Sequence, residues 1–146
     1  MGVSQFSLEP LLEQCRQRES LERELLDRVR AGLLAARDEL LALERKFCEN
    51  AAAARAADLD SRAVRLHYGC SERIVHQIED ARRRISSYDE SARVAGQSFA
   101  QARALRETLE TLKSRQLARR RQAEEQFEER ELDEVNAAWM TGAERT

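Results

Sequence analysis

Apolar and small residues recur along this chain at alternating steps of three and four, the spacing that lays a narrow apolar stripe down one side of a helix. In the first half the stripe runs through Leu25, Val29, Gly32 or Leu33, Ala36, Leu40, Leu43 and Phe47, then Ala54, Ala57 and Val64. In the second half it runs through Ile74, Ile78, Ala81, Ile85, Tyr88, Ala92, Ala95, Phe99 and Ala102. The next step, to Leu105, is three again, which predicts a local overwinding before the stripe resumes at Leu109, Leu112, Gln116, Ala123 and Phe127. Asn50 and the alanine-rich run Ala51 to Ala57 thin the first stripe. Small side chains bury little area, so that section is expected to be the most weakly held.

Punctuation along the chain is sparse. Ser7 suits a helix N-cap, with Glu9 and the single proline, Pro10, in the first turn where both are tolerated or favoured. Between the two stripes, Gly69 suits the left-handed residue that closes a helix and Ser71 the cap that opens the next. The fold class expected is all-α: one domain over residues 1–146, a long antiparallel two-helix coiled-coil hairpin. Its first helix covers about 8–68, its turn about 69–71 and its second helix about 72–140. Folding there sets Leu40 opposite Phe99, Phe47 opposite Ala92, and Leu12 opposite Phe127. A single continuous helix in a parallel dimer is the competing architecture, since one glycine costs a helix only about 1 kcal/mol.

Composition agrees with long helices rather than a thick core. Charged residues form 36% of the 146 and aromatics 5%, while Ala and Leu dominate the apolar share. The net charge of −2 and a pI near 5.8 give no basic excess of the kind nucleic-acid binders show. Arg119, Arg120 and Arg121 are followed by Glu124, Glu125, Glu128 and Glu129, so the basic run reads as locally paired along one helix. No stretch approaches the ~20 apolar residues that span a bilayer, and a basic-then-apolar secretory leader is not evident. A soluble cytoplasmic protein is expected.

Candidate chemistry is thin. Cys15, Cys48 and Cys70 form no paired motif, and with His67 and His76 they give no metal-ligand spacing, so no metal or cofactor is expected. Cys15 falls on the apolar stripe, where a free thiol packs as a small hydrophobe. Cys70 lies near both histidines, but a turn cysteine beside incidental histidines explains the trio. No glycine-rich phosphate loop is present, and carboxylates on solvated helix faces lack a pocket to shift them. The chain is therefore not expected to be an enzyme. The paired ends of the hairpin stand out instead. Phe6, Leu8, Leu11 and Leu12 are expected to approach Phe127, Leu132, Val135, Trp139 and Met140, with Trp139, the only tryptophan, as a docking anchor. Adjacent leucines (Leu11 with Leu12, Leu25 with Leu26, Leu33 with Leu34, Leu40 with Leu41) leave one of each pair to face sideways.

The segment Gln126-Phe127-Glu128-Glu129-Arg130-Glu131-Leu132-Asp133-Glu134, with a basic residue two places before Leu-Asp-Glu, resembles the FliJ/YscO/HrpO-like family of type III secretion proteins, as do the length and the two-helix layout. The resemblance implies a central stalk within a hexameric secretion ATPase, cytoplasmic and peripheral to the inner-membrane apparatus, with the export gate protein and export chaperones as further partners. It would assign Leu132, Asp133 and Glu134 to the end inside the ring, with Leu8, Leu11 and Leu12 on the opposing helix. No nucleic acid or membrane insertion is implied; partial disorder, centred on Ala51 to Ala57, or self-association is expected in isolation. A helical-hairpin export chaperone or adaptor, or a general coiled-coil scaffold, is the alternative.

Overall fold

The computed structural model describes residues 6–56 and 60–144. They form two helices, α1 (Glu9–Ala56) and α2 (Ser61–Ala143), and no strand occurs among the described residues. The chain is an all-α helical hairpin. Glu9 opens α1, its amide donating to the Phe6 carbonyl at 3.0 Å, and Pro10 follows in the first turn, where its missing N–H leaves nothing unsatisfied. Asp60 caps α2: its Oδ1 accepts the Ala63 amide at 2.8 Å, three residues on, and its carbonyl accepts the Val64 amide.

The turn is not at 69–71. Residues 61–143 are continuous helix, Gly69 included, and no described glycine has a positive φ. The break falls between Ala56 and Ser61, with residues 57–59, and hence the stripe position Ala57, outside the described residues. An aspartate cap decided the matter over a glycine that a helix tolerates at modest cost. Ala51–Ala56, expected to be the weakest section, is helical to the end of α1.

Packing divides the chain into two units, Arg18–Ala102 and Met1–Gln17 with Arg103–Thr146. In the first, α1 and α2 run antiparallel. Leu43 packs with Ile78 and Ala81, flanked by Leu40 and Ile74. The Tyr88 ring lies against Gly32 so closely that a Cβ there would sit 2.6 Å from its Cε1. Leu40 and Phe47 are therefore not opposite Phe99 and Ala92; each meets a residue nearer the start of α2. Ion pairs follow the same register: Arg84 with Glu39 at 2.8 Å, Arg37 with Asp89 at 3.4 Å, Arg82 with Glu44 at 3.9 Å. Near the turn, Asn50 Nδ2 donates to Ser71 Oγ at 2.7 Å and to the His67 carbonyl at 3.2 Å, and Asn50 Oδ1 lies 3.1 Å from His67 Nδ1. A polar seam position of this kind favours one register over its neighbours.

The α2 stripe from Ile74 to Ala102 is buried or half-buried except at Tyr88, which is 36% exposed. On α1 the stripe passes through Leu26, not Leu25, which is exposed. In each of three leucine pairs the structure buries one member more deeply: Leu26, Leu33 and Leu40 face the seam, while Leu25, Leu34 and Leu41 face out.

In the second unit Leu12, Cys15 and Leu109 form a small core. The three-residue step to Leu105, from which overwinding was expected, is not the path of the packed stripe. Arg106 and Lys113 occupy the half-buried positions around Leu109, leaving Leu105 and Leu112 exposed and the steps of four and three unbroken. Both basic residues hold these positions by pairing. Arg106 Nη1 lies 2.7 Å from Glu110 Oε2, whose other oxygen lies 3.4 Å from Arg16 of α1. Lys113 Nζ lies 2.8 Å from Glu9 Oε2, a buried oxygen that this ion pair neutralises without a well-directed hydrogen bond.

Candidate functional site

The second unit also holds the residues expected to bind partners, and the structure separates them into two groups. Leu8, Leu11 and Leu12 stand level with Leu109 and Lys113, as the Leu12–Leu109 core and the Glu9–Lys113 pair fix. Leu12 is 0% exposed and belongs to the core, so it offers nothing to a partner. Leu8 and Leu11 face solvent.

Phe127, Leu132, Asp133, Glu134, Val135 and Trp139 lie further along α2. Leu12 does not meet Phe127, because Leu109, about five turns earlier, fills that place. From Arg121 to Glu144 every residue is exposed, and the helix continues to Ala143 with no described residue of α1 beside it. Trp139 is 77% exposed, Met140 73%, and Phe127 and Leu132 62% each. A shallow hollow formed by Ala138, Gly142 and Ala143 adjoins the indole. Isolated exposed apolar residues are ordinary, but here several large ones share one stretch of helix with no described residue of α1 beside it.

Their arrangement on the helix is informative. At about 100° per residue Leu132, Val135 and Trp139 fall within one narrow arc, joined by Leu117 and Arg121 from the preceding turns. The face that packs on α1 runs through Arg106, Leu109, Lys113 and Gln116, and is rotated from that arc by roughly 90°. The Leu132–Val135–Trp139 stripe is therefore not a continuation of the intrachain seam. A helix packed on it comes from a direction that α1 does not occupy.

The charges here also depart from expectation. Among the described residues Arg121, Glu124, Glu125, Glu128 and Glu129 form no ion pair with one another, and Arg115 and Glu134 form none either. These positive and negative charges stay open to a partner. No described group of three or more His, Cys, Asp or Glu is placed to hold a metal ion, and no described helix is long and apolar enough to cross a membrane. Cys48 and Cys70 are exposed and Cys15 is buried in the core with Leu12, as its stripe position implied.

Three of these features were absent from the sequence reading: the Asp60 cap, the Arg16–Glu110–Arg106 bridge and the Asn50–His67–Ser71 cluster. Asp60 beside Ser61 is itself an N-cap signal, but Gly69 with Ser71 carries the stronger loop signature. The bridge and the cluster depend on the interhelix register, which no local signal supplies. Comparison with family models, curated proteins and solved structures gives no match to this chain.

Proposed function

We propose that this chain is a non-enzymatic central stalk of a type III secretion export apparatus, flagellar or virulence-type, whose α2 end enters the hexameric ATPase ring. The observation that carries the reading is the run of exposed helix from Arg121 to Glu144, bearing Leu132, Val135 and Trp139 on one side. A single helix fits a narrow pore where a thicker bundle would not, and its apolar arc supplies the contact. Leu132, Asp133 and Glu134, the residues carried by the family resemblance, lie in the middle of that run. Differential contact with ring conformations would bias the ATPase cycle without any catalytic group on the stalk. The export gate and export chaperones are the further partners of this reading, at surfaces not assigned to residues.

An export chaperone is the second reading, and the exposed leucines of α1 favour it to a degree. In the unit Arg18–Ala102, however, Leu25 precedes its seam neighbour while Leu34 and Leu41 follow theirs, so they fall on opposite flanks. A chaperone holding an extended client would be served better by one continuous flank.

The test is ATP hydrolysis by the cognate export ATPase with and without this protein, and with Leu132→Ala/Val135→Ala/Trp139→Ala. Stimulation is expected from the intact chain and not from the triple variant, with equal helicity by circular dichroism. No stimulation by the intact, helical chain would sink the stalk and leave the chaperone.

A further inference from the structure

Between Lys113 and Arg121 the chain is basic, and between Glu124 and Glu134 it is acidic. This polarity makes the segment complementary to itself when reversed. Laid antiparallel on a second copy with Leu117 level with Leu132, Arg121 comes level with Glu128, a relation occurring twice by the two-fold symmetry. A parallel arrangement would instead set Arg121 on Arg121 and Glu128 on Glu128. Leu117, Arg121, Glu128, Leu132 and Val135 share one arc of about 60° on α2, away from the face that packs on α1.

The same register has an apolar consequence. Trp139 comes level with Glu110 of the second copy, at the height where that copy's Leu8 and Leu11 are exposed. Within one chain these residues stand far apart along α2; across two copies they are brought to the same level. Charge and apolar matching, two independent features, both fit this alignment.

We propose that residues 110–139 of α2 pair antiparallel with the same segment of a second copy, covering the Leu132–Val135–Trp139 arc. This goes beyond the stalk reading and does not rest on it, because the experiment uses the purified chain alone. Sedimentation equilibrium of the full chain at low salt is run for wild type, Arg121→Glu, Glu128→Arg, and an equimolar mixture of the two variants. Wild type is expected to dimerise, more weakly as salt rises. Each variant is expected to raise the dimer Kd by about tenfold, since two facing pairs turn repulsive, with helicity unchanged. The mixture is expected to restore dimerisation. The introduced glutamate of one chain then faces the introduced arginine of the other, and the remaining native pair is intact. A monomeric wild type would overturn the proposal. So would variants that dimerise like wild type, or weakened variants that mixing does not rescue.

Discussion

Burial differs sharply between residues that look alike in the sequence. Leu12 and Leu132 are both leucines on apolar stripes, yet one is fully enclosed and the other projects into solvent. Leu12→Ala is expected to lower unfolding stability by about 2–4 kcal/mol, the range for emptying a closed leucine site. Trp139→Ala, despite removing the largest side chain, is expected to change it by less than about 0.5 kcal/mol in dilute solution. Chemical denaturation of both variants checks the contrast, and equal losses would contradict it. Gly32 is a different case. Alanine there gains helix propensity but pushes into the Tyr88 ring, so Gly32→Ala is expected to stabilise the chain more in a Tyr88→Ala background than in wild type. A double-mutant cycle showing no coupling would remove that contact from the account. Among titrating groups, Glu90 is held below the ordinary glutamate range by its two-pronged hydrogen bond and charge pairing with Arg93, at 2.6 and 3.0 Å. Its contribution is present above the ordinary glutamate pKa and is lost as pH falls through the lowered value. Both side chains are exposed, so the readout is the Glu90 carboxyl resonance, expected to titrate below the ordinary glutamate value.

At the scale of elements, the helices and most of the α2 seam were legible, because a three-four repeat needs only composition and spacing. The turn was not. Gly69 and Ser71 matched the chemistry of a loop, but helix tolerates both, and Asp60 offers the better cap. The two readings make opposite forecasts for one substitution. Gly69→Ala is expected to stabilise by about 1 kcal/mol, since no atom lies within 4 Å of the added methyl and the residue is helical. Destabilisation would return the turn to residues 69–71. Asp60→Ala is expected to cost about 1 kcal/mol through loss of the cap. The same displacement explains why the residues expected to bind partners do not meet one another. Moving the turn toward the N-terminus shortens α1 and slides every interhelix pair, so Leu12 meets Leu109 and the end of α2 outruns its partner. The three-residue step read to Leu105 failed for a related reason: Arg106, overlooked as polar, keeps the repeat by burying its stem and pairing its guanidinium with Glu110.

At the scale of the molecule, the proposed function rests on which part of α2 is left without α1. A net charge of −2 conceals a basic block followed by an acidic one; the basic block starts beside α1 at Lys113, and Arg121 and the acidic block are exposed. That exposure, with the apolar arc beside it, underlies both the stalk reading and the self-pairing. Everything turns on the register between the helices in the unit that holds the chain's ends. The most direct test uses native Cys15, buried against Leu109, in a chain carrying Cys48→Ser and Cys70→Ser. Leu109→Cys and Glu124→Cys are each oxidised mildly, and intrachain disulfides are scored by mass spectrometry. Closure at position 109 and not at 124 is the expected result, and it leaves the Leu132–Val135–Trp139 arc free. Closure at 124 and not at 109 would place Leu12 against Phe127 after all, fold the arc back beside α1, and contradict the account.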